Sequence, residues 1–209
     1  MSLFENREDA ARQLSKALST YMGMQPLVLA IPRGGVPLGR IIADDLGGEL
    51  DVVLVRKLGA PFNPEFAVGA IGESGKIFVA DYALKAGADT AYLAAEADKQ
   101  LATIRRRRAQ YAAVAPPVSA RGRTVIIVDD GLATGATMCS ALAEIRSCQP
   151  DQLICAAPVA SAEAAARVRR ECDRFVCLSV AADFQGVGQF YRDFAQVSDE
   201  EAVALLGRS

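Results

Sequence analysis

Apolar and polar positions along the chain fall into two alternating patterns. The first is the short unbroken apolar run. Leu27 to Ile31, Asp51 to Val55, Thr124 to Asp130, Leu153 to Ala160 and Phe175 to Val180 each predict a strand buried on both faces. The second is the helical period. Asn6 is placed to cap a helix reaching about Thr20, with Ala10, Leu14, Ala17 and Leu18 on its apolar side. A second helix runs from Pro37 to Leu46 and stops at Gly47-Gly48. Between Asp89 and Ala113, residues Ala94, Ala97, Leu101, Ile104 and Tyr111 form one stripe that Pro116-Pro117 ends. Further helices are predicted over 135–148, over 162–171 and from Ser198 onward. Leu58 to Glu65 carries Gly59, Pro61 and Pro64 and predicts a loop. Phe66 to Gly72 and Lys76 to Ala80 follow as two strands joined at Ser74-Gly75. Strands alternating with helices predict an α/β fold with a mainly parallel central sheet flanked by helices.

Composition narrows the chemistry. The 209 residues suffice for one sizeable core and are expected to form a single domain. A formal net charge of −2 gives no electrostatic footprint for nucleic acid. The early charges Glu5, Arg7, Glu8 and Asp9 do not suit a secretory leader. No apolar run approaches the roughly 20 residues of a membrane span, so no membrane role is expected. Cys139, Cys148, Cys155, Cys172 and Cys177 are odd in number and form no Cys-x-x-Cys pair, as expected of reduced thiols in a cytoplasmic protein. The absence of histidine excludes Ser-His-Asp triads, Cys-His pairs and His-ligated zinc. Acid–base and electrostatic work falls to Asp, Glu, Lys, Arg, Tyr or a thiol.

The most informative segment runs from Val125 to Thr137. Four apolar residues, Val125-Ile126-Ile127-Val128, deliver Asp129 and Asp130 to the end of a strand, where open α/β sheets place their ligands. Gly131 and Gly135 allow close backbone approach to an anion. Thr134 and Thr137 add hydroxyls beside the amides of a helix N-terminus. Two carboxylates directly before an anion loop suit a ligand with both a vicinal diol and a phosphate, which describes a ribose 5-phosphate group. The alternative is an acidic helix start whose aspartates cap backbone amides.

This segment resembles the signature of the type I phosphoribosyltransferases, and more diffuse similarity covers most of the chain. The resemblance implies that fold, with a core over about residues 24–180 and a small hood from the chain ends, its C-terminal part over 181–209. It implies a 5-phosphate site at Gly131, Ala133, Thr134, Gly135, Ala136 and Thr137, and ribose contacts at Asp129 and Asp130. It further implies Mg²⁺ dependence, phosphoribosyl pyrophosphate and a small-molecule acceptor as partners, a homodimer, and a place in nucleotide metabolism. Enzymes of this family that act on 6-oxopurines usually carry aspartate where this chain has Ala133, which disfavours hypoxanthine and guanine. Adenine- and orotate-type enzymes have alanine there.

Two other loops bear on the same reading. Pro32-Arg33-Gly34-Gly35 follows the first buried strand and offers amides and a guanidinium to pyrophosphate, or is a plain turn with a solvated arginine. The resemblance implies a strained or cis peptide at Pro32-Arg33. Arg56 and Lys57 end the next predicted strand and either aid the departing pyrophosphate or meet solvent. Asp129, Asp130, Arg33 and Lys57 are therefore the candidate catalytic residues. Arg105 to Arg108 read as a solvated helical face, with closure over the pyrophosphate as a subordinate role. Of the C-terminal aromatics Phe184, Phe190, Tyr191 and Phe194, core packing is the first expectation and Phe184 the candidate base platform. Phosphoribosyl transfer to a nitrogenous acceptor is the leading expectation, and a non-catalytic sensor of phosphoribosyl pyrophosphate or a nucleotide the alternative.

Overall fold

The computed structural model describes residues 2–207. Its elements are α1 (Arg7–Ala17), β1 (Leu27–Ala30), α2 (Gly35–Leu46), β2 (Glu49–Val52), β3 (Val55–Ala60), β4 (Asn63–Gly72), β5 (Ile77–Val79), α3 (Thr90–Ala112), β6 (Thr124–Val128), α4 (Ala136–Ser147), β7 (Gln152–Ser161), α5 (Ala162–Val168), β8 (Arg174–Ala181) and α6 (Asp199–Leu206). The central sheet has the order β2-β1-β6-β7-β8, with every pair parallel. The inner strands β1, β6 and β7 carry long apolar runs because both faces are covered, whereas the edge strands β2 and β8 include Glu49, Asp51, Arg174 and Ser179. Val28, Ala30, Ile126, Val128, Ile154 and Ala156 join the core beneath α1, α2, α3 and α6. Leu27, Leu29, Val125, Ile127, Leu153 and Cys155 face the core under α4 and α5.

Helix starts follow the sequence closely. Asn6, Asp89, Ser161 and Ser198 each accept a backbone N–H as N-caps of α1, α3, α5 and α6. Helix α2 ends at Gly47, whose φ of 66° is the left-handed conformation of a C-cap. The chain ends meet. Leu3 and Phe4 donate to the Phe190 carbonyl at 2.8 and 2.9 Å, Arg192 donates to Phe4 at 2.8 Å, and the Phe4 and Tyr191 rings lie 5.4 Å apart.

Residues 51–65 differ from expectation. Strand β2 ends at Val52, so Arg56 and Lys57 do not close it but lie early in β3. The segment expected to be a loop forms the tip of a hairpin in which β3 pairs antiparallel with β4, while β4 and β5 pair antiparallel through the expected turn. Two irregularities of register, at Leu58/Gly59 and Gly59/Ala60, absorb the breaker residues. A side chain at Gly59 would stand 2.4 Å from the Pro64 carbonyl, so the crossing strands require glycine there. The hairpin packs on α3 and α4, and Phe62 at its turn is 93% exposed.

The arginine run also divides. Arg105 and Arg106 are solvated, as expected, whereas Arg108 is largely buried in an ion-pair network. It donates to Asp51 at 2.7 Å, to both oxygens of Glu73 at 2.5 and 2.6 Å, and to the Val52 carbonyl at 2.7 Å. Burial opposes its charge, but Glu73 and Asp51 outweigh that and hold the guanidinium protonated. The positions three and four residues from Ile104 flank the apolar stripe, which brings Arg107 and Arg108 inward.

Candidate active site

Strands β1 and β6 are neighbours, with Ala30 opposite Val128, and the Ile31 N–H donates to the Val128 carbonyl at 2.9 Å. Pro32-Arg33-Gly34-Gly35 therefore emerges beside Asp129-Asp130. The Pro32–Arg33 peptide is cis. Close approach explains both glycines: a Cβ at Gly34 would stand 2.0 Å from Asp130 Oδ2, and one at Gly35 2.6 Å from the Val128 carbonyl.

The loop after Asp130 is braced by β7. Leu132 donates to the Val159 carbonyl at 2.9 Å, Ser161 N–H donates to the Leu132 carbonyl at 2.9 Å, and Ser161 Oγ donates to the Ala133 carbonyl at 2.7 Å. Gly135, which has no side chain to cap with, then turns with φ 72° into α4, and Thr134 Oγ1 accepts the Ala136 N–H at 3.3 Å. The first-turn amides of α4 and the Thr134 and Thr137 hydroxyls form a cradle suited to an anion.

Asp129 and Asp130 occupy an unusual environment for adjacent carboxylates. The Asp130 N–H donates to Asp129 Oδ1 at 2.9 Å. Burial, and then the neighbouring Asp130, push the Asp129 carboxyl well above the usual carboxylate range. Burial also raises Asp130, opposed by the positive charge and hydrogen bonds of Arg7. Arg7 reaches from α1 with Nε and Nη2 both donating to Asp130 Oδ2, at 2.9 and 2.8 Å. Its Nη1 donates to the Ala195 carbonyl at 2.6 Å, and its guanidinium lies 3.9 Å from the centre of the Phe194 ring. Tyr191 Oη donates to the Asp130 carbonyl at 2.6 Å, and burial pushes that phenol far up.

A cleft of about 640 Å³ opens at this point, lined by Arg7, Pro32, Arg33, Gly34, Arg107, Asp130, Val187, Phe194, Gln196 and Val197. Three arginines thus line one cleft with Asp130, and Arg7 is the one in contact with it. Arg33 also lies 3.9 Å from Asp199 at the start of α6. Lys57 is exposed and lines a separate cleft of about 570 Å³ with Arg56, Thr137 and Ser140, between the hairpin and α3 and α4. Arg56 donates to Gln100 at 2.9 Å. A small cavity lined by Pro32, Arg56, Arg107 and Thr137 lies between the two clefts.

The structure thus brings together Arg33, Gly34, Gly35, Asp129 and Asp130, with residues 131–137 alongside and Lys57 beyond Thr137. Phe184 packs against Phe190 at 5.2 Å, and the ring that lines the cleft is Phe194. Arg7 was not singled out by sequence, and Arg107 only within the run Arg105 to Arg108, read first as a solvated face. Arg107 carried a signal in its helical phase beside Ile104, whereas Arg7 carried none, since its partner lies at the far end of β6.

Comparison with known proteins agrees with this geometry. Residues 2–195 match the family described as "Phosphoribosyl transferase domain". The curated protein "Putative phosphoribosyl transferase Rv0571c" of Mycobacterium tuberculosis is 42% identical over 210 residues, which cover 100% of this chain and 47% of that protein. The chain spans about half the length of the curated relatives it matches. Among solved structures, TT1426 from Thermus thermophilus has a TM-score of 0.88 at 46% identity, covering 99% of this chain and 98% of that one. The AQ2163 protein from Aquifex aeolicus, 14% identical with a TM-score of 0.50 over 83% of this chain and 72% of that one, shares the fold.

Proposed function

Because the chain belongs to the phosphoribosyl transferase domain family, we propose that it moves the 5-phosphoribosyl group of phosphoribosyl pyrophosphate to a nitrogenous acceptor, releasing pyrophosphate. The observation that carries this reading is the juxtaposition of two largely buried carboxylates, a glycine loop with an arginine, and a helix N-terminus entered through Gly135 at adjoining strand ends. The 5-phosphate takes the amides and hydroxyls of residues 131–137. The ribose hydroxyls donate to Asp129 and Asp130. The diphosphate lies along Arg33, Gly34 and Gly35, with Arg107 across the cleft.

Among the described residues no group of three or more His, Cys, Asp or Glu side chains could hold a metal ion. A Mg²⁺ ion would be held mainly through the ligand and water, with Asp129 and Asp130 as the nearby residues, and would supply charge neutralisation on the leaving group. The chain's own contribution is electrostatic. Carboxylates below the ribose favour positive charge developing at C1, and arginines favour the departing diphosphate. No residue is assigned as a base for the acceptor.

Two measurements test the reading: binding of phosphoribosyl pyrophosphate with Mg²⁺, and pyrophosphate release against a panel of nitrogenous bases. Release with at least one base supports transfer. Binding without release from any base makes the chain a sensor, and no binding rejects the reading.

A further inference from the structure

Arg7 reaches from the first helix to the end of the central strand β6, and it spends two N–H groups on a single oxygen. Nε and Nη2 converge on Asp130 Oδ2, while Oδ1 accepts no hydrogen bond from any other described residue. The guanidinium is fixed from two further sides, by the Ala195 carbonyl and by the Phe194 ring. It is 13% exposed, as is its partner. Such a contact fixes the orientation of the Asp130 carboxylate and favours its charged form against the effect of burial. Asp130 is also flanked by the ionisable groups of Asp129 on its own strand end, Tyr191 from the C-terminal segment, and Arg33 and Arg107 across the cleft.

We propose that Arg7 is the positioning residue of the ribose site, pinning one oxygen of Asp130 so that the other is held ready to accept a sugar hydroxyl. This rests on the phosphoribosyl reading above. Arg7 acts through Asp130 and need not touch the ligand. Burial favours a protonated Asp130, and a protonated carboxyl is a poorer acceptor for a ribose hydroxyl. Arg7 opposes that and extends ligand binding toward lower pH. Its place on α1 makes the N-terminal helix part of the site.

The test is calorimetric binding of phosphoribosyl pyrophosphate with Mg²⁺ from pH 5 to pH 9 for wild type, Arg7→Gln and Arg7→Lys, with a thermal melt of each. Arg7→Gln is expected to raise Kd at pH 7 about tenfold, the scale of one charge-assisted hydrogen bond. Its binding should also be lost at a higher pH than in wild type as the solution is acidified. Arg7→Lys keeps the charge but not the paired donors, so it should restore the pH profile and only part of the affinity. Wild-type Kd and pH profile in Arg7→Gln overturn the proposal, and tighter binding does so too by making Arg7 a block on the site. If Arg7→Gln does not melt cooperatively, Arg7→Lys decides alone: an affinity equal to wild type overturns the proposal. A wild-type chain that binds nothing rejects the phosphoribosyl reading itself, a result distinct from any change confined to the variants.

Discussion

Replacing Arg108 by methionine removes the cation that ties α3 to β2 and to the turn after β4, while keeping a stem of similar length. Asp51 is the partner that matters, because its side chain is only 4% exposed. It would keep the N–H groups of Val52 at 2.7 Å and Val118 at 3.1 Å but lose its counter-ion. Breaking a buried ion pair from one side costs about 3–5 kcal/mol. The two surviving hydrogen bonds favour the lower end, and Glu73, at 29% exposure, can turn to water and adds little. A loss of about 3 kcal/mol in a chain of this size lowers Tm by roughly 6–12 °C. Scanning calorimetry at pH 7 measures it. Arg108→Met with Asp51→Asn should recover part of the loss, because no unpaired charge remains. A fall in Tm below about 2 °C for Arg108→Met would refute the assignment of Arg108 as a buried strut.

Asp129→Asn with Asp130→Asn should abolish pyrophosphate release while leaving a cooperative melt; unchanged turnover would remove both carboxylates from the mechanism. Asp129→Asn alone should melt higher than wild type at neutral pH. A carboxyl whose folded value is raised above its ordinary 3.8 loses stability as pH rises through that interval, so the gain should vanish as the pH falls toward about 4; a variant less stable than wild type at pH 7 contradicts the burial argument. Gly34→Ala places a methyl 2.0 Å from Asp130 Oδ2, which should cost about 1–3 kcal/mol and weaken phosphoribosyl pyrophosphate binding more than it lowers Tm. In native protein a maleimide should label exposed Cys148 first, and Cys155, buried with its thiol pushed well up, only after unfolding, as mass mapping would show.

What the sequence disclosed follows from how local each feature is. Strands β1, β6 and β7 were legible because two covered faces demand unbroken apolar runs, and Asp129 to Thr137 because one short segment contains both carboxylates and the anion loop. Strands β4 and β5 with their turn were legible, but β3 and its pairing with β4 were not. Val52-Val53-Leu54-Val55 is one apolar run that the structure divides between β2 and β3, and Gly59, Pro61 and Pro64 read as breakers although irregular register accommodates them. Arg107 and Arg108 differ from Arg105 and Arg106 only in helical phase. Arg7 and Asp130 lie 123 residues apart, and no local pattern reports a contact at that separation.

The pairing of β1 with β6 carries a consequence for folding kinetics. These strands come from opposite halves of the chain, with β2 to β5 and α3 between them, yet they supply the two loops that face each other across the cleft. Closing so long an intervening segment draws on loop entropy before any contact repays it, so their docking belongs to the slow phase of folding. No early, locally ordered fragment can present the ligand surface. Acquisition of ligand affinity during refolding should therefore lag behind the growth of helical signal, and ligand capture becomes a clock for completion of the central sheet.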